Sequence, residues 1–206
     1  MEVNMFKEEA SKELIEKAIN ALGSNNIKAI LVETLEEARA KVVSAIPKGA
    51  EVMTMVSASL DEAGITEVLD NSGDYKSIRT QLYQLDPSKD THKMRKLAAS
   101  PDYVVGSVNA ITEDGKLLWA SATGSQLGAY AYTAGKVILV VGSQKIVKDY
   151  DAAIKRIYDY ILPIESERAK KAYGVPGSAV NKLLSINAEV DPERITVIIV
   201  KKPTGY

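Results

Sequence analysis

Apolar residues along this chain fall into short continuous runs and into spacings of three and four. Aliphatic runs at 27–32, 52–56, 137–141 and 195–200 predict buried strands. Residues 5–22 instead carry apolar side chains every three or four positions, which predicts an N-terminal helix packed on the core. Because strands and helices alternate, we predict an α/β fold with a mostly parallel sheet and helices on both faces.

The central region, residues 103–142, places strands and turns one after another with almost no spacer. An apolar run at 103–105 leads to the turn Glu113-Asp114-Gly115, and a second β-prone run follows at 116–120. This pair predicts a hairpin, which would make the sheet mixed rather than wholly parallel. No repeat or linker interrupts the chain, so we expect residues 1–206 to form a single domain.

Helix ends are predicted by capping signals and by proline. Thr34 precedes Glu37 by three residues and Ser59 precedes Glu62 by three, the spacing of a capping box. Pro163 is expected to end a helix over 149–162. The residues after it, through 184, predict a short helix, a Gly/Pro/Ser turn and a second short helix.

Composition and charge argue against several functional classes. The 206 residues carry a net charge of −1 with the charges interspersed, which argues against nucleic acid and membrane surfaces as partners. The chain has no cysteine, which excludes thiolate catalysis and cysteine-ligated iron–sulfur clusters. Its one histidine has no partners for a metal site, so no metal or cofactor is evident. Neither a signal peptide nor a spanning segment is present, and we expect a cytoplasmic location.

Small and hydroxyl-bearing residues collect at the ends of the predicted strands. Ligand crevices in open α/β sheets form at such ends, so we predict that these residues line one binding site. The loop at 123–126 offers backbone amides and hydroxyls to a phosphate or carboxylate. In the alternative interpretation, Ser59 and either Thr123 or Ser125 only cap helices. The candidate ligand-binding residues are Ser57, Ser59, Gly106, Ser107, Asn109, Thr123, Gly124, Ser125 and Gln126.

A further candidate for ligand binding is Arg168, which follows Pro163. In the alternative interpretation, it pairs with Glu165 or Glu167 on a solvated helical turn, where an ion pair is worth little.

Four segments of the chain resemble the lactate-utilization (LUD) domain family. They are residues 52–65, 99–147, 163–184 and 194–205, and their order and spacing carry the resemblance. The resemblance implies an α/β fold of the kind shared by sugar-phosphate isomerases, glucosamine-phosphate deaminases and CoA transferases. It also implies a part in the bacterial oxidation of L-lactate to pyruvate, alongside iron–sulfur protein subunits. Because the chain has no cysteine, it resembles the cluster-free, stand-alone members.

Glu113 is the candidate catalytic residue. CoA transferases of related fold use a glutamate in a Ser-Glu-Asn-Gly turn, whose carboxylate attacks the acyl-CoA thioester. The turn Thr112-Glu113-Asp114-Gly115 is similar in type, and a carboxylate there would act as nucleophile or general base. In the alternative interpretation, the turn is a hairpin loop with its glycine in the left-handed conformation.

The preferred hypothesis is a component of L-lactate oxidation that binds a small anionic metabolite or a nucleotide-like ligand. One alternative is an acyl-CoA transferase or a sugar-phosphate-processing enzyme that uses Glu113. Another is a non-catalytic subunit that binds a partner such as an iron–sulfur protein. The sequence leaves open the ligand, whether a reaction is catalysed, and whether the chain forms a homo-oligomer.

Overall fold

Ten strands form two sheets within residues 6–206, the part of the chain that a computed structural model describes. In chain order they are β1 (Lys28–Val32), β2 (Glu51–Thr54), β3 (Lys76–Ser77), β4 (Tyr103–Gly106), β5 (Ala110–Thr112), β6 (Leu117–Ser121), β7 (Lys136–Gly142), β8 (Ile146–Val147), β9 (Lys182–Ile186) and β10 (Ile195–Val200).

The main sheet has six strands in the order β1-β10-β7-β4-β2-β3, and every neighbouring pair is parallel. A second sheet has the order β8-β5-β6-β9, in which β6 is antiparallel to both of its neighbours. The predicted α/β class with a mostly parallel sheet is confirmed. The hairpin β5–β6, however, belongs to the second sheet, because its residues Ile111 and Leu117 pack against one face of the main sheet and do not extend its edge.

Helices cover the main sheet on both faces. They are α1 (Lys12–Ser24), α2 (Leu35–Ala45), α3 (Ala58–Glu62), α4 (Ile65–Asn71), α5 (Ile78–Tyr83), α6 (Thr91–Ala99), α7 (Tyr150–Lys155) and α8 (Leu162–Tyr173). Two π-helical segments occur at Ala129–Thr133 and Arg156–Ile161, and a 3-10 turn at Ser143–Lys145 follows β7.

Strand β7 shows how the layers are built. Val137, Leu139 and Val141 face a core that contains α1 and the second sheet, whereas Ile138 and Val140 face a core that contains α2, α3 and α4. Both faces of the strand are therefore buried, which is why its sequence is continuously aliphatic. A third cluster lies on the outer side of the second sheet, beneath α7 and the π segment at 156–161.

The N-terminal helix is shorter than expected. The predicted start at residue 5 lies outside the described residues, and α1 begins at Lys12. It begins there because the Ser11 side chain accepts a hydrogen bond from the Leu14 amide and so caps the first turn.

Two expectations for residues 149–184 are wrong. Pro163 does not end a helix, since the π segment continues directly into α8 and Pro163 lies in the first turn, where its missing N–H needs no partner. The second short helix is instead β9, which pairs with β6 along the edge of the second sheet. Side-chain pairing with a neighbouring strand decides this conformation, and no local pattern in the sequence reports it.

Within residues 6–206, no helix combines the length and the apolar character needed to cross a membrane.

Candidate functional site

A cavity of about 910 Å³ opens at the carboxyl ends of β2 and β4. The chain leaves β2 toward β3 at one edge of the main sheet, and after β4 it continues to β7 on the other side. This reversal is the topological switch point at which open α/β sheets form ligand crevices. Residues 55–58 after β2 and 107–109 after β4 line the cavity directly.

Two aromatic rings form one part of the apolar wall. Trp119 and Tyr130 stack with ring centroids 4.9 Å apart, and the Trp119 indole N–H donates to the Ser107 carbonyl at 2.8 Å. Gly106 makes room for this arrangement, since a Cβ atom there would lie 1.9 Å from the Tyr130 hydroxyl oxygen. Both rings are almost fully buried, so they give this part of the wall a rigid backing.

The remaining wall comes from α8, the loop at 174–181 that follows it, and the segment at 121–126. This loop has no helix or strand. Tyr173, the last residue of α8, and Val175 in the loop are exposed. The ligand-facing surface thus combines an ordered floor from strand ends with a loop wall.

Lys145 is the charged residue at the floor of the cavity. It follows β7 in the 3-10 turn, is only 2% exposed, and lines the cavity. Its Nζ donates hydrogen bonds to the hydroxyl oxygens of Ser59 and Ser107, each at 3.1 Å. No carboxylate among residues 6–206 forms an ion pair with it, and its two hydrogen-bond partners are neutral hydroxyls.

This environment changes the proton affinity of the amine. Burial, and to a smaller extent the positive charge of Arg156, lowers the pKa of Lys145 to about 7, while Glu62 acts in the opposite direction. Near neutral pH the amine therefore exists in both its charged and its neutral form.

Arg156 lies behind Asn109 and is fully buried. Its Nη1 donates to the Asn109 carbonyl at 2.5 Å, and its guanidinium lies over the Tyr160 ring, 5.2 Å from the centroid. Burial lowers the pKa of Arg156 to about 10, so the group is charged at neutral pH. Its Nε and Nη2 atoms are buried and have no hydrogen-bond partner in the described part of the chain. A buried guanidinium with two unpaired donors carries a desolvation cost that a nearby anion would reduce.

Most of the predicted ligand-binding residues come together at this cavity. Its lining includes Ser57, Ser107, Asn109, Thr123, Ser125, Gln126 and Arg168. Gly106 and Gly124 lie beside it: Gly124 has a φ of 79°, and a Cβ there would approach Lys182 Cδ at 2.5 Å. Their role in binding a ligand stays a prediction.

The expected cap at Ser59 is wrong, because α3 begins at Ala58, two residues before the start that a cap at Ser59 would give. Ser57 occupies the N-cap position, without a capping hydrogen bond from its side chain. Ser59 is buried, donates to the Thr204 carbonyl at 3.2 Å and accepts from Lys145. The serine therefore positions the Lys145 amine rather than a helix end.

Arg168 lines the cavity but is already paired. Its Nε and Nη2 donate to the two carboxylate oxygens of Glu165 at 2.8 and 2.6 Å, and the Tyr206 hydroxyl donates to Glu165 at 2.6 Å. Burial alone would raise the pKa of Glu165, but the hydrogen bonds from Arg168 and Tyr206 outweigh it and the pKa lies below its ordinary value. The carboxylate stays ionised, and Arg168 contributes little free positive charge.

Glu113 lies outside the cavity. It is in the β5–β6 turn, where Gly115 has a φ of 79° and donates its amide to the Thr112 carbonyl, as in the hairpin alternative. The Glu113 carboxylate pairs with Lys17 of α1 at the surface. The geometry does not bring Glu113 near the cavity residues, and its catalytic role has no support from its surroundings.

Lys145 and Arg156 were missed as candidates by reasoning from sequence. The sequence does contain a signal for Lys145, because it is a single charged residue between the apolar runs of β7 and β8. Arg156 lies in an amphipathic segment where a charged residue is ordinarily solvated, and only the packing of Tyr160 and Phe6 shows its burial.

In the described range, no cluster of three or more histidine, aspartate or glutamate side chains has the geometry to hold a metal ion.

Comparison with known proteins gives a family and a fold. The LUD domain family model matches residues 15–200. The crystal structure of a DUF162 family protein from Deinococcus radiodurans superposes with a TM-score of 0.57 at 14% identity, covering 91% of this chain and 96% of that one. The chain is also weakly similar to eIF2B beta from Chaetomium thermophilum, with a TM-score of 0.38 at 13% identity, over 57% of this chain and 44% of that chain. No curated protein matches the sequence.

Proposed function

The chain belongs to the LUD domain family, and we propose that its cavity binds a small anionic metabolite, or the anionic part of a nucleotide-like ligand. The observation that carries this proposal is the buried Lys145 amine at the cavity floor, with the buried guanidinium of Arg156 behind the lining and close enough to lower the pKa of that amine. Lys145 and Arg156 are both buried, and neither forms an ion pair with a carboxylate of residues 6–206.

Burying positive charge without a counter-ion is expensive, and proteins keep such charges mainly where a ligand supplies the missing negative charge. A bound carboxylate or phosphate near Lys145 would stabilise the protonated amine, and hydroxyls from Ser57 and Ser107 would donate to the remaining oxygens. Exposed apolar residues of the lining, Val56 and Val175, would contact the apolar part of the ligand.

We further propose that the protein acts as a component of L-lactate oxidation to pyruvate, because the LUD domain family is associated with lactate utilization. In this role it would bind a metabolite of the pathway and work with iron–sulfur protein subunits, since the chain itself has no cysteine to hold a cluster. Co-purification with such subunits, and growth on lactate after deletion of the gene, test this part of the proposal.

The binding proposal is tested by a thermal-shift screen against lactate, pyruvate, CoA, acyl-CoAs, sugar phosphates, flavins and nicotinamide nucleotides. A ligand that binds only the folded state raises the melting temperature with concentration. We expect a shift with at least one anion that disappears in Lys145→Met and persists in Lys89→Met, which removes an equal charge from the exposed Lys89, outside the cavity lining. No shift with any compound, or equal shifts in both variants, would contradict the proposal.

A further inference from the structure

The Lys145 amine has the surroundings of a nucleophile as well as those of a cation. A neutral amine has two N–H donors and one lone pair, whereas a protonated amine has three donors. The structure gives Nζ two acceptors, the Ser59 and Ser107 hydroxyl oxygens. The two hydrogen bonds satisfy both donors of the neutral form and leave its lone pair unused.

We infer that Lys145 forms a covalent imine with an aldehyde or ketone that also carries a carboxylate or phosphate. This inference rests on the proposed function, because the anionic group is what the cavity is proposed to bind. It specifies in addition that the ligand has a carbonyl group and that Lys145 reacts with this group as a nucleophile.

The reaction balances without another reactant. The Nζ lone pair attacks the carbonyl carbon and a C–N bond forms, giving a carbinolamine after a proton moves from nitrogen to oxygen. The C–O bond then breaks, water leaves with the second amine proton, and a C=N bond remains. Protonation of the imine restores a positive charge at nitrogen, which then pairs with the anionic group of the same ligand.

The cavity supports each step. The lining of hydroxyl residues, Ser57 and Ser107 among them, offers groups that can relay a proton between nitrogen and the leaving oxygen. Burial keeps a large neutral fraction at pH 7, since the pKa of Lys145 is about 7. A lysine of ordinary pKa is neutral in roughly one molecule in a few thousand at this pH.

Arg156 adds to the selection of an anionic carbonyl compound. It is fixed beside Asn109, remains charged at neutral pH, and has two unpaired donors. Arg156 does not line the cavity, but its charge acts on the Lys145 amine there and so favours an anion beside Lys145 even when that amine is neutral. Arg156 thus contributes the positive charge, and Lys145 contributes the nucleophile.

The test uses reductive trapping of the full-length protein near pH 7 with sodium cyanoborohydride, which fixes an imine as a stable secondary amine. Pyruvate and dihydroxyacetone phosphate are the probes, one a carboxylate and one a phosphate. Lactate and glycerol 3-phosphate are the matched controls, since each carries the same anionic group with a hydroxyl in place of the carbonyl. Peptide mass spectrometry locates the adduct.

We expect one equivalent of adduct at Lys145 from at least one probe and none from either control, with exposed lysines labelled at least about a hundredfold more slowly. Lys145→Arg should lose the adduct, and Ser107→Ala serves as a second variant, expected to fold and to be trapped at an altered rate. Thermal shifts by these four compounds with no adduct at Lys145 would overturn the imine and leave anion binding standing. Absence of adducts, together with absence of a shift from every compound of the thermal-shift screen, would overturn both proposals, and labelling spread over exposed lysines alone would overturn the imine.

Discussion

Burying the Lys145 amine costs stability whenever the amine carries a proton. In the folded protein its pKa is about 7, below the ordinary value of 10.5 that applies in the unfolded chain. Between these two values the unfolded chain binds a proton that the folded chain does not, so this residue makes stability rise with pH from about 7 to about 10.5. Below pH 7 both states are protonated, and the cost is fully present.

Lys145→Met should therefore be more stable than the wild type by about 1–3 kcal/mol at pH 6, with a difference that shrinks toward pH 10. Urea unfolding of both proteins at pH 6 and pH 9.5 measures this. Greater stability of the wild type at pH 6 would show that the lysine is a structural element and not a residue retained for binding.

Gly106 is required by the aromatic wall of the cavity. A methyl group there would lie 1.9 Å from the Tyr130 hydroxyl oxygen, and that ring is fully buried against Trp119. We expect Gly106→Ala to destabilise the protein by about 1–3 kcal/mol through overpacking. Gly23→Ala is the control, because Gly23 lies in α1 with no atom within 4 Å of its added Cβ. Thermal denaturation should show the control unchanged or stabilised by about 0.5–1 kcal/mol.

Glu113 should be replaceable. Its carboxylate pairs with a largely exposed lysine on the surface, and such pairs contribute about 0–1 kcal/mol. Glu113→Gln is expected to keep its stability within this range and to bind every anion that the wild type binds, as measured by thermal shift. Loss of CoA or sugar-phosphate binding in this variant, with the fold intact, would favour the transferase-type hypothesis.

Individual residues were predictable where their neighbours in sequence decide their role. Gly115 has the left-handed conformation expected of a hairpin glycine, because the turn is local. Ser59 was misassigned because its partners, Lys145 and the Thr204 carbonyl, lie 86 and 145 residues away along the chain. Nothing in a capping-box spacing distinguishes a helix cap from a buried serine with distant partners.

At the scale of elements, the predicted helix cap is correct at Thr34 and wrong at Ser59. The Thr34 side chain accepts a hydrogen bond from the Glu37 amide at 3.2 Å and caps α2. Thr34→Ala should cost about 1 kcal/mol. Ser57→Ala is the matched control, since Ser57 is the N-cap of α3 but makes no capping hydrogen bond. Urea unfolding of both variants measures the loss of unfolding free energy. Equal losses for Thr34→Ala and Ser57→Ala would mean that the cap geometry of the two helices does not differ in solution.

The inner strands β2, β4, β7 and β10 of the main sheet could be predicted because burial on both faces makes their sequences largely aliphatic. The short edge strand β3 has no such pattern. Strand β9 could not be predicted, since only its pairing with β6 makes it a strand. The π segment at 156–161 could not be predicted either, because its apolar residues Ile157, Tyr160 and Ile161 have the spacing of an ordinary α-helix.

For the molecule as a whole, the order of the strands assembles the candidate site. The residues after β2, β4 and β7 are far apart in sequence, yet the parallel arrangement brings their carboxyl ends to one edge. The expectation of a crevice at strand ends depended only on the fold class, so the sequence could predict where a cavity would form. The charge at its floor could not be predicted, because it depends on the burial of Lys145 by residues from other elements and on the buried Arg156 behind the lining.

The central claim is that an anionic group binds at the cavity floor beside Lys145. A crystal structure of the protein with the compound that gives the largest thermal shift tests this claim most directly. We predict electron density for the compound in the cavity between Trp119 and α8. Either a carboxylate or phosphate oxygen lies within hydrogen-bonding distance of Lys145 Nζ, or the former carbonyl carbon is joined to Nζ as an imine. Electron density for the compound elsewhere on the protein, with the Lys145 amine still hydrogen-bonded only to Ser59 and Ser107, would contradict the claim.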